Sequence, residues 1–174
     1  MTVPHRISTL TAGAGVAFLL TVYGTPLGAI ERRPLPDFTV AALDGSSVTS
    51  ADVVLKGRWL LVYVQTSCAP CDALFRLIDS AAATDPPPSP SHMVIVVGGV
   101  DGPTAAKLAS NFSDLAGATW YADPSLALRQ ALDVSLAPVV FGLRDNRLDW
   151  SILGVQPDAR SVKSALTSWV GTIH

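Results

Sequence analysis

The sequence predicts an α/β fold in which a mixed central sheet is flanked by helices and preceded by an N-terminal membrane segment. Two uninterrupted apolar runs, residues 59–64 (WLLVYV) and 93–97 (MVIVV), predict strands that are buried on both faces of a sheet. Segments with helical spacing alternate with these strands, and a strand hairpin follows them, which indicates a mixed sheet. Residues 7–30 contain no charged side chain, which predicts the membrane segment.

The composition fits one folded domain with an appendage. A chain of 174 residues is long enough to bury a core without disulfide staples, and its two cysteines are too few for a disulfide scaffold. The formal net charge of -2 shows no excess of the Lys and Arg that a nucleic-acid surface needs, so we expect no nucleic-acid partner. The two cysteines therefore need a role of their own.

The uncharged run at the N-terminus follows His5 and Arg6, which is the pattern of an export signal or a membrane anchor. Its length approaches the roughly 20 residues that a spanning helix needs. A cleavage site needs small residues one and three positions before the cut, and at one candidate site Leu27 is too bulky. We favour an uncleaved anchor in the inner membrane, with a cleaved signal and secretion to the periplasm as the alternative. Both put the domain on the periplasmic side, where a cysteine pair can be oxidised.

The chain divides into residues 1–30 as signal or anchor, 31–36 as a charged, proline-containing linker, and 37–174 as the folded domain. Apolar patterns and turn residues predict the elements of the domain in order. The predicted strands lie at 37–40, just after a turn at 44–47, and at 59–64, 93–97, 118–122, 139–143 and 148–153. The predicted helices run from the cysteines to 83 and at 104–115, 125–132 and 158–170. A turn at 144–147 joins the last two strands as a hairpin.

Cys68 and Cys71 follow the first long strand directly and stand at the start of a helix. Two cysteines at this spacing in a first turn can bring their sulfurs within bonding distance, and the strand end exposes them at the carboxyl end of the sheet. The helix N-terminus offers partial positive charge and unpaired N–H groups, which should lower the pKa of Cys68 and favour its thiolate. Cys71 lies one turn inside and is expected to be more buried, which suits the resolution of a mixed disulfide.

A metal half-site and a structural crosslink stay open as roles for the cysteine pair. A zinc site needs two more ligands, and the sequence has no second CxxC and no HxxxH, so we expect no metal and no cofactor. A structural crosslink would close a very small loop and would therefore stabilise the fold little. An exchangeable dithiol is the favoured role.

Residues 34–171 resemble the thioredoxin superfamily, and within it the membrane-anchored or periplasmic thiol-disulfide oxidoreductases of the TlpA and ResA type. The resemblance rests on residues 36–38 (PDF), the strand 59–64, the CAPC motif at 68–71 and residues 132–140 (LDVSLAPVV). It implies a thioredoxin-like fold in which Pro138 is cis and faces the dithiol. It also implies that the backbone of Ala137 pairs with an extended substrate.

Four residues around the dithiol differ from those that this family usually has. Ser67 replaces a Trp before the first cysteine, and Asp72 replaces a basic residue after the second. Val62 stands where thioredoxin has a buried Asp, and Leu74 stands where ResA-like proteins have a Glu. Both candidate proton-handling acids are missing, which should slow the deprotonation of Cys71 rather than abolish attack by the first cysteine.

The resemblance implies extracytoplasmic thiol-disulfide exchange with a cysteine-containing protein substrate, in which Cys68 attacks and Cys71 resolves. By analogy with the family, the favoured role is reduction of a partner during protein or cytochrome maturation, with a membrane thiol donor that restores the dithiol. The missing acids support an alternative, a binding or assembly module that keeps the fold with little redox turnover.

Overall fold

A computed structural model describes residues 32–66, 68–82, 92–112, 115, 117–154, 164, 166, 168 and 169. Strands and helices alternate through this part of the chain. In chain order they are β1 (Arg33–Pro34), β2 (Thr39–Ala41), β3 (Ser47–Thr49), α1 (Ser50–Val53), β4 (Arg58–Gln65), α2 (Ala69–Ala82), β5 (Met93–Gly98), α3 (Gly102–Ala109), β6 (Thr119–Asp123), α4 (Ala127–Ala131), β7 (Val139–Arg144) and β8 (Arg147–Leu153). The predicted α/β class is therefore confirmed.

One mixed sheet forms the centre of the molecule, with the strand order β1-β8-β7-β4-β5-β6-β2-β3. β4, β5 and β6 run parallel, so their last residues meet at one end of the sheet, called here the carboxyl end. β7 is antiparallel to β4 and starts at this same end, because Val139 pairs with Tyr63 near the end of β4. The turn between β7 and β8 lies at the opposite end, called here the amino end.

Two apolar cores cover the two faces of the sheet. Residues 59–64 of β4 are fully buried, as the apolar run predicts, and their side chains alternate between the faces. The first core takes Leu60, Val62 and Val64, and the second core takes Trp59, Leu61 and Tyr63. Full burial of one such side chain stabilises the fold by about 1.5–3 kcal/mol. β4 is thus the strand that both cores share.

The segment expected to be a linker is partly built into the sheet. Arg33 pairs with Leu148 across β8, and the N–H of Leu35 donates to the carbonyl oxygen of Asn146 at 3.0 Å. Leu35 is 5% exposed and belongs to the second core. A charged, proline-containing composition does not reveal that its one leucine has a buried place to occupy. The sheet consequently begins at residue 33.

α3 is shorter than the helix predicted at 104–115. It starts where the side chain of Asp101 accepts the N–H of Thr104 at 3.0 Å. It ends at Ala109, where the Ser110 hydroxyl donates to the carbonyl oxygen of Lys107 at 2.8 Å. Serine side chains compete with the helical hydrogen bonds in this way, which favours a turn.

The predicted C-terminal helix is described at residues 164, 166, 168 and 169, all of which are helical. Leu166 is buried in the first core, and the indole N–H of Trp169 lies 3.2 Å from the carbonyl oxygen of Trp59. No helix among the described residues is both long and apolar enough to cross a bilayer. The predicted membrane segment at 1–30 lies outside the described residues.

Candidate active site

Cys68 and Cys71 lie at the carboxyl end of β4 and are joined by a disulfide, with their Cα atoms 5.3 Å apart. Cys68 immediately precedes α2, and its carbonyl oxygen accepts the N–H of Cys71 at 2.9 Å. Cys68 is partly exposed, whereas Cys71 is 3% exposed. The predicted difference in burial between the two cysteines is therefore confirmed, with Cys68 the more exposed residue.

The first turn of α2 explains why the pair sits at a helix start. Pro70 is tolerated there because the first turn of a helix has no partner for the missing N–H. Asp72, which is exposed, adds an acidic side chain to this turn, where the helix dipole favours negative charge. The thiolate character expected for Cys68 stays a prediction for the reduced protein, because the cysteine is bonded to Cys71 in this structure.

Cys71 is surrounded by apolar side chains of the first core. Val62 and Leu74, the two positions at which the resemblance leads one to expect acids, are 0% and 1% exposed and belong to this core with Cys71. Phe75 fills the same region, and its ring centroid lies 4.5 Å from that of Phe112. No buried carboxylate appears in the first core among the described residues. Deprotonation of Cys71 thus has no acid–base group beside it in this part of the chain.

The peptide bond between Ala137 and Pro138 is cis, as the resemblance implies. β7 begins with the next residue and pairs with the end of β4, so this peptide lies at the same end of the sheet as the cysteines. Ala137 and Cys68 both pack against the first core. The carbonyl oxygen of Pro138 accepts the N–H of Gly154 at 2.8 Å, and Gly154 has a φ of +69°, which glycine adopts without strain.

Two exposed leucines flank this peptide, and no sequence pattern pointed to them. Leu136 is 68% exposed and stands two residues before Pro138, while Leu153 is 53% exposed and pairs with Val139. They are the large apolar side chains that stand out as exposed within the described ranges. Only their positions could have indicated them: Leu136 lies in the stretch before the cis-proline, and Leu153 directly precedes Gly154.

Asp123 is a buried carboxylate that the sequence patterns also failed to indicate. It is fully buried at the end of β6 and accepts the N–H groups of Ala127 at 2.7 Å and Arg129 at 3.3 Å. Burial raises the pKa of Asp123. Trp120 and Ala122 face the first core, so strand alternation directs Asp123 to the other face, away from Cys71. An Asp between a strand and a short helix was the signal for such a cap.

A metal site is the weaker alternative for the cysteine pair. Within the described residues, no group of three or more His, Cys, Asp or Glu side chains is placed to hold a metal ion. The two sulfurs are instead bonded to each other. The sulfur chemistry that this geometry offers is reversible disulfide formation.

Comparison with known proteins finds similarity in structure only. No family model matches the sequence, and no curated protein matches it. A thiol:disulfide interchange protein DsbE from Chlorobium tepidum has a similar structure, with a TM-score of 0.58 and 19% identity over 83% of this chain and 100% of that chain. A secreted Mycobacterium tuberculosis disulfide oxidoreductase, homologous to E. coli DsbE, also has a similar structure. Its TM-score is 0.58 and its sequence identity 15%, over 75% of this chain and 95% of that chain. A peroxiredoxin-like protein from Aquifex aeolicus has a TM-score of 0.57 and 12% sequence identity, over 79% of this chain and 85% of that chain.

The fold is a thioredoxin-like α/β fold with a mixed sheet. At such identities the likeness concerns architecture alone, and the three similar structures do not share one described chemistry. In this fold the CxxC pair and the cis-proline lie at the same end of the sheet, because β4 ends and β7 begins there. The chemistry of this chain depends on what its own residues offer at that place.

Proposed function

We propose that this protein exchanges disulfides with a cysteine-containing protein partner outside the cytoplasm, through Cys68 and Cys71. The observation that carries the proposal is the unequal burial of the two cysteines at a helix start, at the end of the sheet where the strand after cis-Pro138 begins. An accessible sulfur can meet a partner, and a buried one within bonding distance can release it.

In the reducing direction, the Cys68 thiolate attacks one sulfur of a partner disulfide. A mixed disulfide forms, and the other partner sulfur leaves as a thiolate and takes up a proton. Cys71 then loses its proton and attacks the sulfur of Cys68, which expels the second partner thiolate. Two electrons pass from the dithiol to the partner, and a membrane thiol donor returns them by the same two steps in reverse.

The backbone of Ala137 is the proposed docking site for an extended partner segment. It precedes a proline that has no N–H of its own, at an end of the sheet where strands stop pairing with each other. Leu136 and Leu153 border this site and supply apolar surface for side chains next to the partner cysteine. Pro138 shapes the groove by fixing the direction in which the chain enters β7.

Reduction during protein or cytochrome maturation, on the periplasmic side of the inner membrane, is the proposed setting. It is supported by the uncharged run at residues 7–30 and by the resemblance in the CAPC motif and the segment around Pro138. One similar structure is described as a secreted protein and another as an interchange protein. An uncleaved anchor is favoured over release into the periplasm.

A second candidate function is a binding or assembly module with little redox turnover. It is favoured by the apolar Val62 and Leu74 beside Cys71, since neither can accept a proton when the mixed disulfide is resolved. The two functions differ in whether a covalent partner intermediate forms.

The decisive experiment traps that intermediate with Cys71→Ser, which leaves the attacking sulfur without its resolving partner. We expect the variant to accumulate a mixed disulfide with a partner in cells, visible as an adduct that dithiothreitol removes. Cys68→Ser is the matched control and should give no such adduct. If Cys71→Ser forms none while the wild-type protein is functional in the same cells, the binding module is the correct function.

A further inference from the structure

The amino end of the sheet carries an unusual concentration of positive charge, called here the basic pole. Half of the 12 Lys and Arg residues of the chain lie on it. They are Arg32, Arg33, Lys56, Arg58, Arg144 and Arg147. The pairing of β1 with β8, and of β4 with β7, brings them together around the β7–β8 turn. Among the described residues, two carboxylates, Asp145 and Asp149, accompany the six cations, which gives this part of the pole a formal charge of about +4 before the adjacent Glu31 of the sequence is counted.

Both carboxylates of the pole are committed to contacts within it. The side chain of Asp149 is 7% exposed and lies 3.3 Å from Arg32 and 3.4 Å from Arg144. The side chain of Asp145 accepts the N–H of Gly57 at 2.8 Å. The charge of Asp149 is therefore spent largely on Arg32 and Arg144, whereas Asp145 is exposed and offsets one of the exposed cations.

The cations of the pole are held close together against their mutual repulsion. Arg58 and Arg144 are directly opposite each other in the β4–β7 pairing, a position where like charges destabilise a sheet. Both guanidinium groups lie over the ring of Trp169, at 5.1 Å and 5.6 Å from its centroid. Like charges at such positions cost stability unless other groups compensate them. Asp149 and Trp169 supply part of this compensation, and an anionic surface against the pole would supply more.

The start of the described chain lies on this same pole. Arg33 is fixed to β8 by strand pairing, and Arg32 is fixed by its ion pair with Asp149. In the sequence only Glu31 separates Arg32 from the uncharged run that ends at Ile30. If that run is anchored in a bilayer, the basic pole has one residue, or about 3.5 Å of extended chain, between itself and the membrane surface.

We propose that the basic pole binds the anionic headgroups of a phospholipid membrane and thereby turns the dithiol away from it. The proposal rests on the proposed function for the membrane anchor, and the charge of the pole supports it independently. β4 spans the distance between the two ends with eight residues, so the dithiol is held roughly 25 Å from the headgroups. Exposed Asp72 and Asp101 at the carboxyl end are repelled by the same surface, which strengthens this orientation.

The test uses the full chain, with Cys68→Ser and Cys71→Ser so that one introduced cysteine carries a spin label. The label is placed on the pole with Asn146→Cys, or on the opposite end with Ser125→Cys. Vesicles of phosphatidylcholine, with and without phosphatidylglycerol, contain a lipid whose headgroup chelates nickel. We expect nickel to relax the label at residue 146 strongly and the label at residue 125 weakly, with a larger contrast when phosphatidylglycerol is present.

Charge reversal separates the role of the cations from that of the tether. Arg33 and Lys56 are both exposed, and Arg33→Glu with Lys56→Glu reverses two charges on the pole. Arg76→Glu with Lys107→Glu is the matched control, since both residues are exposed on helices away from the pole. In the pole variant, phosphatidylglycerol should no longer increase the difference in nickel relaxation between residues 146 and 125. In the control variant it should still increase this difference. Equal relaxation at residues 146 and 125, or a pole variant identical to the control, overturns the proposal.

An alkaline carbonate wash of the vesicles tests the anchor separately. If the chain is washed off, the anchoring part of the proposed function fails, and sedimentation with the two kinds of vesicle then measures binding by the pole alone. In that case binding to phosphatidylglycerol vesicles should be at least about twentyfold weaker in the pole variant than in the control. Equal binding to vesicles with and without phosphatidylglycerol, or binding that requires an added acidic protein, counts against a lipid partner.

Discussion

The two cores on either side of the sheet differ in the way they hold polar groups. The first core contains Cys71 and is otherwise apolar around it, including Val62 and Leu74, the two positions at which the resemblance led us to expect acids. The second core's face of the sheet carries Asp123, a fully buried carboxylate that caps α4 through two backbone N–H groups. Among the described residues, a buried acid thus holds the start of α4, while the dithiol has none beside it. The acid on one face therefore bears on the stability of the domain, and the apolar surroundings of Cys71 on the other face bear on the rate of disulfide exchange.

The largest change to this comparison is to place an acid beside the dithiol with Leu74→Glu. Leu74 is 1% exposed in the first core, so the new side chain should cost about 3–5 kcal/mol of stability. It should also accept the proton of Cys71 and raise the rate of resolution per folded molecule by about 10- to 100-fold. Stopped-flow reduction of a disulfide peptide gives the rate, and urea unfolding gives the stability.

Leu74→Gln controls for the size and polarity of the new side chain. It should destabilise the domain by a similar amount without accelerating resolution, because an amide does not accept the proton. Equal rates for the Glu and Gln variants across the pH range would show that proton transfer from Cys71 does not limit the reaction.

The converse change removes the acid from the other face. Asp123→Ala leaves the N–H groups of Ala127 and Arg129 without their acceptor, which should cost about 1–3 kcal/mol of unfolding free energy. The redox potential of the Cys68–Cys71 couple should stay the same, since the carboxylate faces away from it. A large change in potential, measured against glutathione buffers, would mean that the two faces are coupled.

The raised pKa of Asp123 also predicts how stability depends on pH. The folded protein keeps this proton at pH values where the unfolded chain, with an ordinary pKa near 3.8, has lost it. The stability that the proton contributes is fully present below that value and is lost as the pH rises through the folded pKa. Asp123→Asn should remove this part of the pH dependence. Asp133→Asn, at an exposed position with a φ of +53° that Asn tolerates, should leave it in place.

The smallest expected effect concerns the exposed apolar surface next to Pro138. Leu136→Ser with Leu153→Ser removes the two exposed apolar side chains next to Pro138. We expect a rise of about three- to tenfold in KM for a protein substrate. The value of kcat and the unfolding free energy should be unchanged, because neither side chain is buried. Leu136→Met with Leu153→Met keeps the apolar area and should behave like the wild type.

The sequence predicted the parts of the molecule in which the local residue pattern alone determines the structure. Residues 59–64 and 93–97 are uninterrupted apolar runs, and each became a central strand. The position of Cys68 and Cys71 followed from the strand before them and the helix after them. The cis bond at Pro138 came from the resemblance, because no local pattern announces it.

Several features depend on contacts between residues far apart in the chain. Leu35 has the sequence context of a linker because its buried place is created by residues more than a hundred positions later. The burial of Asp123 depends on the strands packed against it, and the 68% exposure of Leu136 shows that no described part of the chain covers it. The early end of α3 depends on a competition between side-chain and backbone hydrogen bonds that periodicity does not register.

The register between β4 and β7 bears on how the site opens in time. Six consecutive pairs, from Arg58 with Arg144 to Tyr63 with Val139, connect the strand before the cysteines to the strand after Pro138. Central pairs of this kind exchange their amide hydrogens only when the whole domain unfolds. The strands that carry the two halves of the site therefore have the same lifetime as the native state. Any adjustment to a partner is confined to the short segments that lead out of one strand and into the other.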